Sequence, residues 1–219
     1  MKIKALVVID VQNDFLPGGA LVVPHGDEIL PIVNTLLDLP FNLIIATKDW
    51  HTKDHLSFAA NHKKSPGEKI MLGQIEQILW SSHCVQNTKG AEFPLSLHAS
   101  KIAKIFYKGI DKTIDSYSAF FDNAHLISTG LADFLIKHNA TEIYIAGLAT
   151  DYCVKYSVLD GLKLGFKIFV VTDACRGINI DDKDSFLAFK EMRTAGATLV
   201  TSNEVVNEFK DVFHLENNV

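Results

Sequence analysis

Short apolar runs recur along this chain, each ending on a polar residue and each separated from the next by a stretch long enough for a helix. Residues 3–9, 42–47, 101–107, 142–147, 168–172 and 197–201 read as strands. Helices are expected from about Asp27, with Pro31 in the first turns, over 129–138, over 150–164 with Gly165 as the C-cap, and over 185–195. Apolar runs without polar alternation belong to strands covered on both faces, and strands alternating with helices form parallel sheets. The expected fold is therefore α/β, a three-layer α/β/α sandwich around a mainly parallel six-stranded sheet. At 219 residues, one large domain suits the length better than two small ones. Two segments break the rhythm. Residues 12–26 hold Pro17-Gly18-Gly19 and read as a lid loop, and residues 50–100 form a long insertion that carries five of the nine histidines.

A net charge of −5 without a Lys/Arg-rich run leaves no electrostatic footprint for nucleic acid. The opening apolar run, residues 5–9, is too short for a signal segment or a membrane span. Three cysteines without a C-x-x-C cannot all pair, which argues against a disulfide framework. The expectation is a cytoplasmic protein acting on a small molecule, with no nucleic-acid or membrane partner and with a homo-oligomer left open.

In parallel α/β folds ligands bind beyond the carboxyl ends of the strands. Here those ends carry Asp10, Asp49, Lys108 and the turn Thr150-Asp151-Tyr152-Cys153, which should gather on one edge. Cys153 falls in the first turn of the expected helix, with Thr150 or Asp151 as N-cap. A helix N-terminus lowers a thiol pKa and offers free N–H groups to an oxyanion. Most free cysteines are merely small buried hydrophobes, so position alone does not separate the two readings. A nucleophilic thiol also needs a proton acceptor and charge stabilisation, which Asp10 and Lys108 could supply from neighbouring strand ends. Cys84 and Cys175 lack such partners and read as structural. Asp49-x-His51-x3-His55, with His83 nearby in sequence, offers imidazoles and a carboxylate suited to zinc, iron or manganese. Asp54 competes with Asp49 as the carboxylate; Asp49 is preferred because a strand end places it rigidly.

Five blocks then carry a resemblance over nearly the whole chain: Ile9-Asp10-Val11-Gln12-Asn13-Asp14-Phe15, Asp49-Trp50-His51, Trp80-x-x-His83-Cys84-Val85, Lys108-Gly109 and Gly147-Leu148-Ala149-Thr150-Asp151-Tyr152-Cys153-Val154. Together they resemble the nicotinamidase/pyrazinamidase branch of the isochorismatase-like cysteine hydrolases, whose sheet is Rossmann-like. The resemblance implies a metal-dependent amidohydrolase that converts nicotinamide to nicotinate and ammonia through a thioester, in NAD salvage, and that also deamidates pyrazinamide. It implies Asp10, Lys108 and Cys153 as the catalytic triad, and one divalent ion, zinc first, on Asp49, His51 and His83, with His55 at the place of a less constant ligand. It further implies Phe15, Trp80 and Tyr117 as aromatic walls for the substrate, a cis peptide at Leu148-Ala149, and an oxyanion hole from the N–H groups of Ala149 and Cys153. Ser81-Ser82 stand where many relatives carry a proline, Asn87 where glycine is common and Pro94 where histidine is common. The rivals are other carboxamide or carbamoyl hydrolases, which generally lack the Asp-x-His group, and a non-catalytic binding protein, whose triad would be broken. No G-x-G-x-x-G follows the first strand, which disfavours a dinucleotide oxidoreductase.

Overall fold

The structure is a computed structural model that describes residues 2–216. Six parallel strands form one sheet in the order β5-β2-β1-β6-β7-β8: β1 (Ile3–Ile9), β2 (Leu43–Asp49), β5 (Lys104–Lys108), β6 (Ala140–Leu148), β7 (Lys167–Arg176) and β8 (Thr198–Val200). A separate antiparallel hairpin, β3 (Lys69–Leu72) with β4 (Ile75–Ile78), lies within the insertion. The helices are α1 (Leu30–Leu37), α2 (Leu131–Lys137), α3 (Lys155–Lys163), α4 (Asp184–Thr194) and α5 (Ser202–Glu216). Among the described residues no helix is long and apolar enough to cross a membrane.

Alternate residues of β1 feed two cores. Ala5, Val7 and Ile9 pack with Leu131 and Leu135 of α2, Val158 of α3 and Met192 of α4. Leu6 and Val8 pack with Val33 and Leu36 of α1 and with Val205 and Phe209 of α5. Both faces of the strand are thus covered, which is why its sequence shows no polar alternation. The sheet is parallel throughout, one step beyond the expected mainly parallel arrangement.

The chain leaves β1 toward β2 and β5 on one side and returns on the other through β6, β7 and β8. The crevice of such a sheet opens where the strand order reverses, between β1 and β6. Gly147 makes close pairing possible there. It sits opposite Ile9 at φ 127°, and a Cβ would approach the Ile9 carbonyl oxygen to 2.1 Å. The next peptide bond, Leu148–Ala149, is cis, as the resemblance implied.

Several expected boundaries shift for local reasons. Residues 99–101 form a 3-10 turn, so the third strand starts at Lys104 rather than 101. Gly130, at φ 85°, delays the second helix to Leu131. The fifth strand runs on to Arg176, which places Asp173 and Cys175 inside it. The turn Thr150–Val154 is a π-type turn, with the Val154 N–H reaching the Ala149 carbonyl, and it carries no side-chain cap. Neither Thr150 nor Asp151 is the N-cap expected of them. Asp151 instead accepts the N–H groups of Ile178 (2.9 Å) and Asn179 (2.8 Å), tying this turn to the loop after β7. The segment read as a lid is packed down, with Phe15, Leu16 and Val23 buried and Asp14 accepting the Cys84 N–H at 2.7 Å.

Two elements went unread. Helix α5 opens with a capping box: Thr201 Oγ1 accepts the Glu204 N–H, and Glu204 accepts the Thr201 N–H at 2.6 Å. The β3–β4 hairpin turns on Gly73 at φ 62°, a two-residue glycine loop of the kind that marks hairpins.

Replacing Gly147 by alanine should destabilise the protein by about 2–4 kcal/mol, because the new Cβ collides with backbone rather than with a movable side chain. Urea denaturation followed by circular dichroism measures it; a change below about 0.5 kcal/mol would show that β1 and β6 can part at no cost.

Candidate active site

The ends of β5, β2, β1 and β6, four adjacent strands, bring Lys108, Asp49, Asp10 and the 149–153 turn together. Asp49 and Lys108 are paired across β2 and β5, so their side chains leave the sheet side by side. Lys108 is buried, and four groups crowd its three N–H bonds: Asp10 Oδ2 at 2.8 Å, Asp49 Oδ1, the Ser116 carbonyl at 2.9 Å and Cys153 Sγ at 3.3 Å. Asp10 adopts φ 47°, in the left-handed region, which turns its carboxylate back toward Lys108. Thr47, also buried, locks it there: its hydroxyl donates to Asp10 Oδ1 at 2.6 Å and accepts the Asp10 N–H at 3.2 Å. Gln12 fixes the neighbouring strand end by exchanging two 2.8 Å hydrogen bonds with the Asp49 backbone.

Burial opposes every charge in this group, and the groups divide the effect unequally. Burial raises the Asp10 pKa, with Asp49 adding to it and Lys108 only partly offsetting it. Burial likewise opposes the Asp49 charge, yet Lys108 and His51 hold its carboxyl well below the usual range. Lys108 also loses solvent, but the two carboxylates keep it firmly an ammonium. Cys153 is pushed well above an ordinary thiol by burial, and Lys108 does not overcome that. This corrects the expectation of a thiol lowered by a helix N-terminus. Burial thus favours the thiol form of Cys153, with the Asp10 and Asp49 carboxylates acting in the same direction.

A narrow cavity, ≈ 20 Å³, ends on Cys153 and Ala149 and has Asp49, His83 and Asp115 on its polar side. Phe15, Trp80 and Tyr117 line it, together with Leu21, Tyr152 and Ile178. The Trp80 indole N–H donates to the Tyr117 hydroxyl at 3.1 Å, and Gln77 of β4 donates to the same oxygen at 3.2 Å. Hairpin β3–β4 thereby holds the aromatic wall. Asp115, Gln77 and Thr47 carry no role in the sequence reading, and Tyr152 enters it only as part of the turn that holds Cys153. Thr47 had a signal: it lies two residues before Asp49 and so on the same side of β2. Asp115 comes from a loop, Gln77 from the hairpin inside the insertion and Tyr152 from the turn after β6, and no periodicity encodes how they converge.

Asp49, His51 and His83 present ligand atoms that all lie within 4.8 Å of one another, whereas Asp54 is exposed and pairs with Lys112. His51 donates Nδ1–H to the Gly109 carbonyl at 2.9 Å, and His83 donates Nδ1–H to the Ser81 carbonyl at 2.8 Å. Those bonds fix both tautomers and leave the Nε2 lone pairs 3.6 Å and 3.5 Å from Asp49 Oδ2. Two ligands on one tetrahedral ion stand about 3.3 Å apart, given metal–ligand bonds of roughly 2.0–2.1 Å. The His51 Nε2 is buried and has no hydrogen-bond partner among the described residues. The donor set therefore fits a divalent ion. Gly109 follows from the same geometry: at φ 64° a Cβ there would lie 2.3 Å from the His51 ring. His55 is buried in a second cluster with His51 and Asp115; burial and the neighbouring His51 push its pKa down to about 4.

Residues 4–204 match the model of the isochorismatase domain. The chain is 48% identical over 201 residues to the nicotinamidase of Escherichia coli strain K12, covering 90% of this chain and 94% of that one. The chain belongs to the isochorismatase family, in its nicotinamidase/pyrazinamidase branch. A solved nicotinamidase/pyrazinamidase of Acinetobacter baumanii superposes with a TM-score of 0.90 at 41% identity, over 94% of this chain and 99% of that one. The pyrazinamidase of Pyrococcus horikoshii, solved in complex with zinc, gives 0.74 at 37% identity over 91% and 99%.

Cys84 is fully buried, which pushes its thiol well up, and Cys175 is buried within β7, where burial pushes its thiol up to about 12. A maleimide at pH 8 should leave both unmodified in the native protein and place any label on Cys153; peptide mass mapping reads the positions. Lys108→Met should cost about 3–5 kcal/mol of stability in urea, since it leaves two buried carboxylates facing each other. A variant as stable as the parent would mean that the carboxylates ionise without the ammonium.

Proposed function

We propose that this chain hydrolyses nicotinamide to nicotinate and ammonia, and deamidates pyrazinamide likewise, through a thioester on Cys153. The reading rests above all on one juxtaposition: a buried thiol that lines an aromatic-walled cavity and has a buried ammonium, itself paired with a carboxylate, directly against it. The 48% identity to a nicotinamidase supplies the substrate class.

Asp10 takes the thiol proton as Sγ attacks the amide carbon. Lys108, fixed between the two carboxylates, stabilises the developing negative charge. The backbone N–H groups of Ala149 and Cys153, at the cavity floor, receive the carbonyl oxygen. Asp10 returns the proton to the leaving nitrogen, the C–N bond breaks and ammonia departs. Water then attacks the thioester, giving one proton to Asp10; the S–C bond breaks, Asp10 reprotonates Cys153, and the acid formed releases its remaining proton to solvent as nicotinate. Phe15, Trp80 and Tyr117 clamp the ring so that the carboxamide lies over Cys153. Asp49, His51 and His83 are the proposed metal ligands, with zinc the first candidate and iron or manganese the alternatives. When bound, the ion supplies a Lewis-acid anchor for the ring nitrogen. The reading extends to one domain over residues 1–219, with the metal-binding insertion at about 50–100, working in the cytoplasm in the recycling of nicotinamide.

Cys153→Ala should lower ammonia release from nicotinamide by at least about 10³-fold, with metal content unchanged. Ammonia can be read by a coupled glutamate dehydrogenase assay and metal by emission spectroscopy. Chelation of the parent should abolish turnover, and zinc add-back should restore it. Turnover by the Cys153 variant at the parental rate would rule out the thioester.

A further inference from the structure

His51, His55 and Asp115 form a second buried group, and it shares only His51 with the Asp49–His51–His83 trio. Their ligand atoms lie within 4.8 Å of one another, and Asp115 Oδ1 stands 3.8 Å from His51 Nε2. One imidazole nitrogen offers one lone pair, so His51 serves a single ion. The trio has both its tautomers fixed for ligation by Gly109 and Ser81. His55 is set the other way. The buried Ser57 N–H donates to His55 Nδ1 at 3.1 Å, which makes that nitrogen an acceptor. The Ser57 hydroxyl sits 2.7 Å from the same nitrogen and shares its lone pair. The ring proton of neutral His55 must then be on Nε2, where it is a donor and not a ligand. That atom is buried and makes no well-formed hydrogen bond among the described residues, although the Asp111 backbone stands near the ring. Facing it, Asp115 is a buried acceptor, tethered by the Ser116 N–H to Oδ1 at 2.8 Å and lining the cavity beside Asp49 and His83.

A fixed donor and a fixed acceptor beside an ion match the two kinds of hydrogen bond open to an ion's water, whose free lone pair can accept one and whose two protons can donate. We propose that His55 and Asp115 are outer-sphere positioning residues, which hold a water of the metal beside His51 and do not ligate the metal themselves. This rests on the metal site assigned above to Asp49, His51 and His83. It departs from the sequence expectation that His55 is a further ligand. The Ser57 N–H enforces the difference, because ligation through His55 Nε2 would put a proton on Nδ1 and leave that buried N–H without its acceptor.

The test compares Asp115→Asn, Asp115→Ala and His55→Gln with His83→Ala. Asparagine at 115 keeps an oxygen for the Ser116 N–H, so this variant guards against loss of fold, which thermal unfolding of the stripped protein checks. Stripped enzymes are titrated with zinc against a competing chelator, and the cobalt-loaded forms are compared by their visible absorption. The expected result is a fall in zinc affinity of about 10–100-fold for the 55 and 115 variants, the usual effect of losing an outer-sphere partner. Their cobalt bands should keep the parental position and intensity, while His83→Ala shifts both. Cobalt bands in the His55 or Asp115 variants that change as they do in His83→Ala would make that residue a ligand and overturn the proposal. Zinc affinity within twofold of the parent in all three variants would overturn it as well. A parent that binds no zinc would instead remove the underlying metal site, an outcome visible before any variant is compared.

Discussion

Lys108 carries an ammonium into a place without solvent, and the carboxylates of Asp10 and Asp49 compensate it. Taking such an ion out of water costs several kcal/mol even after the protein relaxes, so its partners must be held in place by the fold. Each is. The register of β2 against β5 sets Asp49 beside Lys108, Thr47 pins Asp10, and Gln12 anchors the Asp49 backbone. Two carboxylates against one ammonium leave a surplus of buried negative charge. Together with burial itself, that surplus pushes the Cys153 thiol pKa upward.

The same cluster ties the chemistry to the topology. Asp10 and Cys153 straddle the point where strand order reverses, β1 on one side and β6 on the other, and Lys108 reaches in from the edge strand two positions away. Side chains from four strands thus meet at one point without any of them leaving its strand end. The insertion closes the space above them. His51 and His83 approach Asp49 from above, and Gln77, on a hairpin foreign to the sheet, steadies Tyr117 and reaches toward Asp115.

Legibility in the sequence followed physical range. All six sheet strands were readable because each is an apolar run buried on both faces, and the strand-end residues Asp10, Asp49 and Lys108 followed from them. The two missed elements each had a local signal, the Thr201–Glu204 capping box and the Gly73 turn. Thr47 could have been found from the period of its strand. Asp115 could not: it sits in a loop, and its neighbours Gln77 and His51 lie 38 and 64 residues away along the chain.

The sequence by itself determined the fold class, the family and the inventory of reactive groups, because burial patterns and contiguous motifs are written locally. Tertiary structure alone decided what those groups are. Whether Cys153 rests as thiol or thiolate depends on burial and on charges from three other strands. Which histidine nitrogens carry protons depends on backbone groups of Gly109, Ser81 and Ser57. Asp10, Asp49 and Lys108 were visible as three polar strand ends. Their union into one buried cluster comes from the order in which the strands pair, and that order is a property of the folded sheet.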